Sequence, residues 1–141
     1  MKEDFVPYEL AVKLKEKGFK EKCYAYYFPV NNELCYNINQ FRGGNLYNCL
    51  YSHNSLPKEL VASDFIDAPT IPQVLEWLRE EKKIHLIVEI SDSGWYYTLY
   101  PNIRWENGKL KSDKYFMSFK HNPSYEFAAL AAIEYCLDNL I

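Results

Sequence analysis

The chain has 141 residues, 48% of them hydrophobic and 25% charged, and a formal net charge of −3. That length suits one domain able to bury most of its unfolded surface without disulfide or metal staples. The mild negative charge argues against duplex DNA, whose binding rests on Lys and Arg neutralising phosphates, and no apolar run reaches the roughly 18 residues of a membrane span.

The opening segment "MKEDFVPYELAVKLKEKGF" has no apolar stretch of the kind a signal peptide needs, so a cytoplasmic setting is expected. A helix is predicted over about residues 7–17. Pro7 suits its first turn, and Leu10, Ala11 and Leu14 form an apolar stripe. Gly18 suits the left-handed position after the helix, where Phe19 can pack back on Leu14. Residues 22–28 and 33–39 read as strands joined by the turn "PVNN", hence a hairpin, with Leu34, Tyr36 and Ile38 alternating with Cys35 and Asn37. Residues 40–67 carry the weakest pattern. Arg42-Gly43-Gly44 marks a turn, "LYNCLY" fits a third strand, and "LPKELVASDF" fits a helical turn or a loop.

The pattern sharpens from residue 70. Thr70 is placed to cap a helix, with Gln73 completing a capping box and Pro72 in the first turn. Ile71, Val74, Leu75 and Leu78 recur at helical spacing, and "EEKK" (80–83) reads as a solvated helix end. Two strands follow. In "IHLIVEI", Ile84, Leu86, Val88 and Ile90 oppose His85, Ile87 and Glu89. In "WYYTLY", Trp95, Tyr97 and Leu99 oppose Tyr96, Thr98 and Tyr100. A slip of one residue would exchange the faces, so the more apolar match is expected: Leu86, Val88 and Ile90 beside Leu99, Tyr97 and Trp95. Asn107-Gly108 is a strong hairpin signal and pairs 102–106 with 109–112, after which "YFMSF" (115–119) extends the sheet. Asn122-Pro123 is expected to start a last helix with a core stripe of Ala129, Leu130, Ile133, Leu137 and Leu140. The helix–strand–strand order thus occurs twice, near 7–39 and 70–100. The sum is one α+β domain spanning 1–141, a mostly antiparallel, meander-like sheet packed by two or three helices.

The motifs of phosphate loops, dinucleotide folds, zinc hydrolases, serine hydrolases and EF-hands are all missing from the sequence. Cys23, Cys35, Cys49 and Cys136 have no CxxC pairing and no histidine at zinc spacing, so free thiols are expected, with neither metal nor cofactor. His53 and His121 fall in loops and read as surface residues. The aromatic share is the outlier at 17%, with 13 Tyr, and tyrosine serves cores and binding faces alike. In the apolar register one sheet face gathers His85, Glu89, Tyr96 and Tyr100, with Trp105 on the next hairpin. These five are the candidate binding residues. The leading expectation is a non-enzymatic protein that binds another protein through this aromatic face. The alternative is a small-molecule or single-stranded nucleic-acid binder, since aromatic rings stack on bases beside Arg42, Arg104, Lys109, Lys111 and Lys114. A third reading is a small enzyme using His85 and Glu89 for acid–base work. A deep pocket on this face would favour the small molecule, and a flat apolar patch the protein.

The phrases "FVPYELAVKLKEKGFKEKCYAYY", "APTIPQVLEWLREEKKIH", "GWYYTLY" and "YEFAALAAIEYCLDNLI" resemble an uncharacterised family of small proteins encoded in phages and prophage-like elements of gut Bacteroidetes. The resemblance covers most of the chain outside about 40–67. It implies an accessory role in a phage or mobile element and carries over no catalytic residues.

Overall fold

Phe19 shows how closely backbone geometry follows the first sequence signal. Its N–H donates to the Leu14 carbonyl at 2.9 Å and the Gly18 N–H to that of Lys15 at 3.1 Å, which closes the first helix in a Schellman motif. The computed structural model describes residues 5–40, 46–48, 50–58, 60 and 64–141. The chain is α+β and divides into two compact units, Met1–Thr70 and Ile71–Ile141.

In the N-terminal unit, α1 (Tyr8–Glu16) is followed by β1 (Ala25–Tyr27), β2 (Leu34–Tyr36), β3 (Ile38–Gln40), β4 (Leu46–Asn48) and β5 (Ile66–Ala68). Pro7 occupies the N-cap, one residue outside the expected start, while Leu10, Ala11 and Leu14 are buried as expected. β1 and β2 form the expected antiparallel hairpin, and β5 pairs on the other side of β1. The alternation read through Ile38 breaks at Asn37. That residue is buried, donates its side-chain N–H to the Cys23 carbonyl at 2.8 Å, and lets the chain leave one sheet and pair β3 with β4. The Arg42-Gly43-Gly44 turn lies outside the described residues. α1 packs on β5, and the Tyr27 hydroxyl donates to the Val6 carbonyl at 2.6 Å.

In the C-terminal unit, α2 (Ile71–Glu81) leads into β6 (His85–Ser91) and β7 (Gly94–Tyr100), then β8 (Arg104–Glu106), β9 (Lys109–Lys111), β10 (Phe116–Met117) and α3 (Tyr125–Asn139). α2 begins directly after Thr70, as the capping signal predicted. The β6–β7 register is the apolar one: Leu86 faces Leu99, Val88 faces Tyr97 and Ile90 faces Trp95 across a two-residue turn. β10 adds to the outer side of β7, so the sheet order is β10-β7-β6. Asn107 and Gly108 both take positive φ, +53° and +73°, and β8 pairs with β9 around them.

The last helix starts later than the Asn122-Pro123 signal suggests. Ser124 is the N-cap, its hydroxyl accepting from the Phe127 N–H at 3.2 Å. Asn122 is committed elsewhere, exchanging two backbone bonds with Trp95 at 2.7 and 2.9 Å. That bridge explains Gly94. Its φ is +121°, and a Cβ there would stand 2.8 Å from the Asn122 carbonyl oxygen. Gly94→Ala should therefore cost about 1–3 kcal/mol, read as a lower urea midpoint. The core stripe of α3 is also rotated from the expected one. Ala128, Ala129, Ala132, Ile133, Cys136 and Leu137 are buried, while Leu140 is exposed and Leu130 only half-buried. The apolar residues run almost round this helix, so spacing alone left its inward face ambiguous.

Cys23 and Cys136 are fully buried, and burial pushes both thiols up, Cys136 to about 12; the nearby Asp67 and Glu21 carboxylates add to the shift at Cys23. Burial likewise raises the Tyr27 and Tyr97 phenols. Groups whose folded values lie above their unfolded ones give stability that is complete below the unfolded value and lost as pH rises. Unfolding should therefore become easier from about pH 9, where unfolded thiols ionise, by about 1.4 kcal/mol per pH unit for each buried thiol. Urea midpoints between pH 8 and 11 should fall more shallowly in Cys136→Ala than in the parent. Among the described residues, no helix is long and apolar enough to cross a membrane.

Candidate functional site

The β6–β7–β10 sheet has two unlike faces. Tyr97, Leu99 and Phe116 belong to the side that α3 covers, where Phe116 stacks on Tyr135 with ring centroids 4.5 Å apart. The opposite face carries His85, Ile87 and Glu89 from β6, Tyr96, Thr98 and Tyr100 from β7, and Met117 from β10, which pairs with Thr98. Thr98 is buried at its centre. Tyr115, just before β10, lies on the same side, its ring 5.8 Å from that of Tyr100.

Four of the five residues singled out from sequence thus share one sheet face, in two pairs. His85 sits opposite Tyr100, their rings 6.3 Å apart. Glu89 sits opposite Tyr96 and accepts a hydrogen bond from its hydroxyl at 2.6 Å. That bond holds the Tyr96 phenol above its ordinary value, because the carboxylate stabilises the protonated form. His121 closes over the Tyr96 ring at 5.7 Å. The strand keeps the pairs apart: His85 and Glu89 are four residues distant, roughly 13 Å along an extended chain. Their separation does not give the convergence an acid–base pair requires. The fifth residue, Trp105, pairs with Leu110 across the β8–β9 hairpin; these two side chains are 75% and 61% exposed.

The hairpin is tied down at its base. The Ile103 N–H donates to the Lys83 carbonyl at 2.8 Å, and the Arg104 guanidinium reaches Asp113 at 3.1 Å and Glu106 at 3.2 Å. Between it and the sheet face lies a groove of about 570 Å³. Ile87, Tyr100, Ile103 and Leu110 give it an apolar lining, with His85, Arg79 and Lys111 as its basic groups. The volume falls within the range of pockets that hold a small ligand or one large side chain.

A second cluster, in the N-terminal unit, was not legible in the sequence. His53, expected at the surface, is buried. Asp67, fully buried on β5, accepts from the backbone N–H groups of His53 at 3.1 Å and Asn54 at 2.8 Å, and its Oδ1 lies 3.0 Å from His53 Nδ1. A carboxylate only accepts, so Nδ1 is assigned the proton. Asn54 answers by accepting from the Asp67 N–H at 3.1 Å and donating to the Phe19 carbonyl at 2.9 Å. The imidazole packs against the rings of Tyr26, Tyr51 and Phe65 at 4.6, 4.7 and 5.4 Å. This cluster latches the 52–55 loop onto the sheet. A buried aspartate bonded to loop amides has no spacing signature, and its strand lies in the stretch that was least readable.

No family model, curated protein or solved structure matches the chain.

Proposed function

We propose that the protein works by binding another protein through the sheet face opposite α3 together with the adjoining β8–β9 hairpin. The observation that carries this reading is the exposure of large apolar side chains over one short segment. Trp105, Leu110, Tyr115, Met117 and Phe119 are 75, 61, 56, 45 and 93% exposed. Such a concentration of aromatic, Met and Leu side chains in water is unfavourable unless a partner covers it, and its aromatic and Met members are residue types enriched at interfaces. The neighbouring groove offers a socket for one anchoring side chain, the usual form of an interface hot spot. The resemblance to phage-encoded proteins supports a mobile-element setting. The test is a photo-crosslinking residue at Phe119, with Glu126 on α3 as control, in the cells that natively make the protein. The expected result is a protein adduct from position 119 and none from 126. Equal adducts, or none at 119, would sink the reading.

The groove itself favours a second reading, a small amphipathic ligand with an apolar body against Ile87, Tyr100 and Leu110 and an anionic head near Arg79 and Lys111. The probe is anilinonaphthalene sulfonate, which has that chemistry. Fluorescence enhancement that Leu110→Asp abolishes is expected on this reading, and enhancement unchanged by that substitution would count against it.

A further inference from the structure

We infer that the partner presents an extended, acidic segment that lies along β10. The inference rests on the protein-binding reading above and adds the chemistry of what is bound. β10 is one of the two edge strands of its sheet, β6 being the other, and its outer edge has no strand neighbour among the described residues. Such an edge offers unpaired backbone groups to an added strand. Around the two-residue β10, Tyr115, Met117 and Phe119 form an apolar row at every second position, and a lysine stands at each end of it, Lys114 and Lys120.

Charge decides the character of the occupant. The net charge of the chain is −3, yet residues 103–121 hold five Lys or Arg against two Asp or Glu. Both of those carboxylates are spent on ion pairs: Glu106 on Arg104 and Lys111, Asp113 on Arg104. Lys109, Lys114 and Lys120 have no ion-pair partner among the described residues, so their charge is uncompensated. The remaining anion of the face, Glu89, is engaged by the Tyr96 hydroxyl on the far side of β7, and Asp92 lies in the β6–β7 turn. At physiological salt, charges separated by more than about 8 Å are largely screened, so the lysines that border the row dominate what approaches it. An acidic strand with apolar residues at alternate positions satisfies the edge, the row and the lysines together.

The test is selection of random twelve-residue peptides displayed on ribosomes against the immobilised full chain, repeated on Phe119→Ala and on the Lys114→Gln/Lys120→Gln double variant. Enriched peptides should be acidic with apolar residues at alternate positions, should be lost on both variants, and should bind about tenfold more weakly at about 1 M than at about 0.1 M salt. Neutral or basic winners that still need Phe119 would overturn the acidic partner and leave the protein-binding face standing. Winners indifferent to Phe119, or none at all, would overturn both. Oligo-dT bound more tightly than any selected peptide would replace the acidic segment with a nucleic-acid strand. Because edge lysines also guard against self-pairing, the double variant is checked by light scattering. A variant that forms oligomers yet keeps full peptide affinity would make the lysines guards only and overturn the proposal.

Discussion

Asp67→Ala should lower the stability of the N-terminal unit by about 3–5 kcal/mol, the loss expected when a buried acceptor is removed and its donors are stranded. Three donors depend on this carboxylate: the N–H groups of His53 and Asn54 and the His53 imidazole. None can turn to water without lifting the loop from the sheet, because Asn54 is held in turn by Phe19 and His53 is walled by three aromatic rings. Folded proteins hold a margin of only about 5–15 kcal/mol, so this substitution alone uses a large part of it. Asp67→Asn, which keeps one carbonyl oxygen and the volume, should lose less. Urea denaturation gives the global figure, and amide hydrogen exchange at His53 and Asn54 should accelerate first. Unchanged exchange at both amides in Asp67→Ala would mean that the loop is held by something other than the aspartate.

The second large effect separates the two faces of the β6–β7 hairpin. Leu99→Ala should cost about 3–5 kcal/mol, since its side chain has no solvent exposure and leaves a cavity under α3. Its neighbour Tyr100 points the other way, half-buried beside the rings of His85 and Tyr115 and along the groove, so Tyr100→Ala should cost less, about 1–2 kcal/mol. Val88, half-buried and paired with Tyr97, is a weaker probe of the same register. If Tyr100 belongs to the binding face, its truncation should weaken partner capture by more than it weakens folding. Equal destabilisation by Leu99→Ala and Tyr100→Ala, read from urea midpoints, would mean that the second face is covered and is no binding surface.

Where a signal is local, sequence and structure agree. The Schellman closure at Gly18, the start of α2 after Thr70 and the turn at Asn107-Gly108 each follow from what neighbouring residues do to a few dihedrals. The β6–β7 register was legible for a related reason. Its two faces differ in polarity, so one alignment buries more apolar surface than the other. The placement of His85, Glu89, Tyr96 and Tyr100 on one face followed from that register.

The rest depended on partners distant in the chain. Asn122 reads as a helix cap on its own, but Trp95, 27 residues earlier by their numbers, takes its backbone bonds, and the cap passes to Ser124. The inward face of α3 was set by what packs against it, because apolar residues surround most of its circumference. β5 is three residues long and contains a charged one, so no period announces it; it exists because β1 offers an edge and Asp67 offers a carboxylate to the loop. The sequence by itself determined the α+β class, the main hairpins and which side chains share a sheet face, since those rest on short-range sterics and on burial of the more apolar alternative. Only the tertiary structure decided which face α3 covers, that β10 lies at a sheet edge with the apolar row around it bordered by lysines, and that His53 is buried against Asp67, because each depends on which distant segment supplies the covering surface or the missing hydrogen bond.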